Sequence, residues 1–210
     1  MRYARCALAF SAVLAVLSCS LFEDKTLTLL SEAALDGYVT WLSPASYLGS
    51  EVGASVDIGD VAANDTDYTR CVVSFDLSSL PAGAQIQSAV LRVYQNADFS
   101  GDSYADSPLG LAEVLVDNIS YSSFTPNSDL FFVALESNIG TLATSFSADT
   151  WHELDVTISA EDEVNLFHNG RLQFRIYHHY DNNNDFIEDT DGWVMGDSSS
   201  NQPELVITYK

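Results

Sequence analysis

The chain has 210 residues, with 8 Lys and Arg against 30 Asp and Glu and a formal net charge of -22. Hydrophobic residues make up 47% of it, enough to fill a core, so the low-complexity disordered class is excluded. So acidic a molecule repels a phosphate backbone from every approach, which argues against nucleic acid as a partner.

The N-terminus reads as an address. Arg2 and Arg5 form a basic start, and 6–17 is an apolar run of Ala, Leu, Val and Phe. That run is too short for a stable span and fits the core of a secretory signal. Ser18-Cys19, after Val16-Leu17, resembles a bacterial lipobox, in which the signal is cut before a Cys that becomes lipid-modified. Leu17 stands where lipoboxes usually carry a smaller residue. The alternative is an ordinary secretory signal cut at a small residue nearby. The lipobox reading makes 1–18 a lipoprotein signal peptide, Cys19 the lipidation site, 19–34 a tether and 35–210 one domain. It anchors the protein to a membrane at the cell envelope, in the outer membrane or outside the cell. All 30 acidic residues follow Cys19, so the mature chain is more acidic still. Cys6 leaves with the signal and Cys19 carries lipid, so Cys71 has no disulfide partner. Cys71 lies among alternating apolar residues and reads as a small buried hydrophobe.

From residue 37 on, short β-rich runs are broken by Gly, Pro, Asn, Asp and Ser. Strands are expected at 37–41, 55–58, 70–77, 87–95, 109–116, 130–135, 151–158, 172–179, 193–196 and 204–209. The polar stretches 64–67, 98–106 and 181–191 read as loops. One short helix is expected over 160–168, after Ser159 as a cap, with Glu161, Asp162 and Glu163 in its first turn. Many short strands and few helices predict an all-β protein, a jelly-roll β-sandwich of two antiparallel sheets.

Two-residue alternation sets the faces. Leu91 and Val93 point one way, and Val90, Arg92 and Tyr94 the other. Leu172, Phe174 and Ile176 share a face, and Arg171, Gln173, Arg175 and Tyr177 share the opposite one. The apolar sets must face the core, because burying an unpaired Arg is costly. Arg92, Tyr94, Arg175 and Tyr177 are therefore expected on outward sheet surfaces, or in one groove if their strands lie together.

The segment RCVVSFDLSSLPAGAQIQSAVLRVY, residues 70–94, resembles the signature of DNRLRE-type domains. There a strand ending in Phe-Asp-Leu meets a Leu-Pro-Ala-Gly turn, and a strand with Ala-x-Leu-Arg-x-Tyr follows. DGYVT at 36–40, WHELDVT at 151–157, PELVITY at 203–209 and the late strand, Asp/Asn loop and hairpin after Leu172 are similar to the rest of the pattern. The string that names the family is absent. The resemblance implies a secreted jelly roll, often attached to polysaccharide-degrading enzymes, with some members binding carbohydrate. It also implies a structural place for Trp151, which is expected in the core. No attached enzyme domain is expected from this sequence. Its acidity disfavours a polyanion such as alginate, so a neutral glycan is the expected polysaccharide or cell-surface partner.

The run 181–191 is the sharpest local signal. Asp181, Asn183, Asp185 and Asp189 recur at the odd spacing of oxygen ligands in a calcium loop, with Asp191 beyond and the Ile187 carbonyl as a further donor. It is not an EF-hand, since Phe186 stands where that loop needs Gly and Gly192 where it needs a bidentate Glu. A solvated Asp/Asn turn that needs no metal is the plainer reading. Calcium is the one expected cofactor.

Tyr94, Tyr177 and Tyr180 are candidate sugar platforms, and Arg92 and Arg175 candidate donors to sugar hydroxyls. An ordinary charged sheet face is the competing reading. His178 and His179 point to opposite faces of one strand, so they cannot chelate one ion together. No nucleophile motif, phosphate loop or zinc-protease pattern occurs, so no enzyme is expected. The sequence points to a surface-anchored, non-catalytic carbohydrate-binding module. The alternative is a structural or adhesive surface domain with a calcium-stabilised loop.

Overall fold

The computed structural model describes residues 23–42, 46–51, 53–61, 66–105 and 110–210. The expected signal peptide, Cys19, and parts of the loops expected at 64–67 and 98–106 lie outside the described residues.

Twelve strands form among the described residues. They are β1 (Lys25–Leu30), β2 (Gly37–Leu42), β3 (Ser46–Ser50), β4 (Ser55–Asp60), β5 (Asp67–Asp76), β6 (Ile86–Ser100), β7 (Val114–Ile119), β8 (Glu136–Ala143), β9 (Thr150–Asp155), β10 (Arg171–His178), β11 (Asp189–Val194) and β12 (Glu204–Tyr209). Helix α1 (Ser128–Phe132) lies between β7 and β8. Helix α2 (Thr157–Asp162) follows β9 and runs into a π-helical turn, Glu163–Phe167. The protein is all-β, and every strand pair is antiparallel. The strands hydrogen-bond in the order β1-β12-β6-β11-β4-β5-β10-β7-β8, with β2 on β5, β3 on β2 and β9 on β6.

This sheet curls so that its inward residues meet. Val56 and Ile58 of β4, Cys71, Val73 and Phe75 of β5, Leu91 and Val93 of β6, Phe174 and Ile176 of β10 and Trp193 of β11 share one core. Alternation is thus obeyed on β5, β6 and β10. Strand β5 is buried on its other face too, where Tyr68 and Val72 join Val39, Ile119, Leu130 and Phe131 in a second cluster.

The structure departs from the sequence reading at several places. The strand expected at 109–116 runs 114–119, and strand β6 takes in 98–100 and β11 takes in 189–191 of stretches expected as loops. Residues 19–34 are not all tether: 25–30 are β1, and Leu29 of its Thr-Leu-Thr-Leu alternation packs on the core. The run 130–135 is no strand, because Asn127 accepts a hydrogen bond from Leu130 N at 2.9 Å and caps α1 instead. Leu130 and Phe131 then cover the outer face of the sheet. The helix expected over 160–168 begins at Thr157, so the strand before it stops at Asp155. Strands β3 and β8 were not read from the sequence.

Asp36 enters β2 with its side chain buried, and its Oδ1 accepts from Ser74 N at 2.8 Å. Burial pushes its carboxyl from 3.8 up to about 7. The folded state therefore keeps a proton that the unfolded chain has already released between those values. This group's effect is to lower stability as pH rises from 3.8 to about 7, with no further change above. Asp36→Asn is expected to flatten that decline, read as thermal midpoints across the same window. An identical slope in both proteins would count against it.

Candidate functional site

Strand β6 presents Val90, Arg92 and Tyr94 on the outer face of the sheet. Register sets Tyr94 opposite Trp151 and Arg92 opposite Glu153 on β9, with Glu204 of β12 on the other side of Arg92. Cross-strand neighbours on one face interact, and here each does. The Tyr94 and Trp151 rings meet edge to face, 5.4 Å between centroids. The Arg92 guanidinium lies 4.7 Å from the Trp151 ring centroid. Arg92 Nε donates to Glu153 at 3.0 Å and Nη1 donates to Glu204. Half-exposed ion pairs add little stability. Their effect here is to fix a flat cation beside an aromatic pair, and a guanidinium has five N–H donors, of which these bonds use two. All three side chains are half-buried.

Trp151 is the residue that sequence reasoning misplaced: it is not in the core. The signal was present, since in Trp151-His-Glu-Leu-Asp155 alternation puts Trp151 on the face of the two acids and His152 and Leu154 on the other. Trp193 is the tryptophan in the core.

Arg175 and Tyr177 lie on a different part of the sheet, so the two Arg-Tyr pairs form no single groove. Both point to the outer face of β10, as alternation requires, but α1 and the segment leading to β8 cover them. Arg175 is 2% exposed. Its Nε and Nη2 donate to Asp117, and its Nη1 donates to Leu130 O at 3.1 Å and Val133 O at 3.2 Å. Tyr177 Oη donates to Asp117 at 2.9 Å, and burial raises this phenol to about 12. Burial pulls the Arg175 guanidinium down against the opposing pull of Asp117. Arg70 joins from β5, 4.2 Å from the Phe131 ring centroid, 4.6 Å from that of Tyr177 and bonded to Asp181 at 2.8 Å. Tyr180 is 40% exposed and stacks on His179. Beside α1 a cleft of about 480 Å³ opens, rimmed by Ser120, Ser122, Ser123 and Thr125.

The expected calcium ligands are spread rather than gathered. Asp181 serves Arg70. Asp185 Oδ1 accepts from Ile187 N at 2.8 Å, a local turn. Asn183 donates to Asp189 at 2.7 Å, and Asp102 N donates to the other Asp189 oxygen. Asp191 is buried within the fold, where Gln95 Nε2 and Tyr104 Oη donate to its Oδ2. Its Oδ1 stands 2.6 Å from His178 Nε2. His178 Nδ1 lies 3.0 Å from Ala112 O, a carbonyl that only accepts, so Nδ1 carries a hydrogen. Among the described residues no three His, Cys, Asp or Glu side chains gather as metal ligands. Cys71 is buried, and burial raises its thiol.

No protein-family model matches the chain, and no curated protein matches it.

Asp117→Ala is expected to destabilise the protein by about 3–5 kcal/mol in urea unfolding, because it leaves Arg175 buried without its counter-ion. Adding Arg175→Met to the same chain is expected to recover most of that loss. A single-variant cost under about 1 kcal/mol would sink this account of the pair.

Proposed function

We propose that the protein is a surface-anchored, non-catalytic carbohydrate-binding module for a neutral glycan, built as a jelly-roll β-sandwich of two antiparallel sheets. The observation that carries this reading is the Arg92–Tyr94–Trp151 patch. Sugar rings have apolar C–H faces and polar edges, and the patch offers aromatic carbon beside guanidinium donors and carboxylate acceptors. Glu153 and Glu204 flank the patch and repel an acidic polymer, which favours an uncharged one. For the sandwich, the support is the thin link between two runs of strands. Only Gly59↔Thr69 and Asp60↔Tyr68 join β4 to β5, while the strands on either side pair along longer registers. The resemblance of 70–94 to DNRLRE-type domains and of Ser18-Cys19 to a lipobox supports the family and the anchor.

The test is retention on immobilised neutral polysaccharides. Trp151→Ala and Tyr94→Ala are expected to lose retention, with far-ultraviolet circular dichroism unchanged. Equal retention by wild type and Trp151→Ala, or none by wild type on any neutral polymer, would overturn the assignment.

A second reading, a structural or adhesive domain with a calcium-stabilised loop, has its own observation. Burial and the neighbouring carboxylates of Asp98, Glu188 and Asp191 raise Asp57. Burial also raises Asp189, with Asp185 and Asp102 adding to it. A cation near this end relieves such repulsion. The thermal midpoint is then expected to rise in millimolar calcium and fall in chelator. An unmoved midpoint removes the metal.

A further inference from the structure

The end of the sheet from which β1 starts carries exposed carbon and the chain's two lysines, beside the acids Glu23, Asp24, Glu161 and Asp162. Lys25 opens β1 opposite Tyr209, and Tyr209 pairs with Ile86. The C-terminal Lys210 pairs with Gln85 at the same level. Helix α2 and its π-helical turn hang from this end, because Val156 N donates to Ala89 O and Leu77 N donates to Gly170 O. Three side chains there are bare: Ile158 is 69% exposed, Leu166 65% and Phe167 43%. Val164 of the π-helical turn lines a groove of about 390 Å³ with Leu80 and Pro81. Both lysines of the chain, Lys25 and Lys210, stand at this end and are exposed. The opposite end carries Asp98, Asp102, Asp185 and Glu188, with exposed carbon of its own in Phe99, Phe186 and Ile187.

Exposed carbon alone does not choose a partner, since other exposed apolar side chains lie elsewhere. Chain direction does. Lys25 lies six positions after Cys19, and a fully extended chain of that length reaches about 20 Å. If Cys19 holds a lipid, this end lies within that reach of the bilayer. We propose that Ile158, Leu166 and Phe167 form a membrane-contacting tip that enters the interface of a zwitterionic bilayer. The proposal rests on the lipid-anchor reading given above. Apolar side chains at an interface enter about 5–10 Å and give an acyl anchor a second, weaker hold. Glu161 and Asp162 on the same helix, with Glu23 and Asp24, select against a strongly anionic surface; Lys210 is paired with Asp24 at 3.4 Å, and Lys25 offers a contact to a headgroup phosphate. Such a hold also fixes orientation. Tyr94 lies eight residues beyond Ile86 along β6, about 26 Å at the usual strand rise, so the glycan patch stands clear of the headgroups.

The full chain, expressed with its own N-terminus, is reconstituted in nanodiscs of phosphatidylethanolamine and phosphatidylcholine, and its mass reports whether Cys19 is lipidated. Leu166→Cys and Ile187→Cys each receive a nitrobenzoxadiazole label; Cys71 is buried and does not compete. Ile187 is an exposed control at the opposite end. On discs, the label at 166 is expected to shift to the blue and lose emission to doxyl-labelled lipids, and the label at 187 to do neither. No quenching at 166 in disc-bound, lipidated protein overturns the tip while leaving the anchor intact. A blue shift without lipid quenching means cover by protein, a second copy included, and overturns it too. Protein without the lipid mass and absent from discs fails at the anchor itself, and the tip falls with it.

Discussion

The register of β6 against β9 and β12 is the constraint on which the rest depends. A slip of one residue would turn Leu91 and Val93 to water and bury Arg92 beside Tyr94. The core forbids this, because Leu91 and Val93 pack among the inward residues of seven other strands. In the native register the same strand supplies three things at once. Its inward side chains fill the core, its outward ones make the aromatic and cationic patch, and Gln95 donates to the buried Asp191. The patch is therefore as well fixed as the core, although its own ion pairs contribute little.

Alternation was legible wherever one face meets the core and the other meets water. That holds for 90–94, and the expected faces are the observed ones. It fails to predict exposure at 171–177, where the faces are right but the outer one is covered. Nothing local in Arg171–His178 announces that cover. It comes from 128–132, a segment whose apolar run reads as a strand until Asn127 caps it into a helix. Once α1 lies over β5 and β10, Arg175 loses water and must be paid in hydrogen bonds, which Asp117, Leu130 and Val133 provide. An outward charge on a strand therefore reports the face, while its solvent access depends on a distant piece of chain.

The acidic run 181–191 shows a different ambiguity. Odd spacing of oxygen donors is the mark of a calcium loop, but it is also the period of a strand. Asp189 and Asp191 belong to β11 and point the same way because they are two residues apart. Their carboxylates are met by neighbours far apart in sequence: Asn183 and the Asp102 amide for one, Gln95, Tyr104 and His178 for the other. Those donors become partners only after the sheet has curled, so spacing alone cannot separate ligands from a buried polar register. The carboxylates that stay outside, Asp57, Asp98 and Glu188, are the ones whose repulsion remains for a cation to relieve.

Both lysines and α2 lie where β1 begins, among acids of their own, and Lys210 pairs there with Asp24; a crowd of carboxylates lies where β11 begins. The aromatic patch sits on the flank between them. Strand length sets this separation, since β6 runs from the first end to the second. Under the proposed membrane tip, the carboxylate end would be directed away from the surface, where like charges on adjacent copies repel. The flank would then face along the surface, where the proposed glycan could lie across Trp151 without approaching either end. Geometry of this kind needs no moving part: a long strand and a fixed register are sufficient.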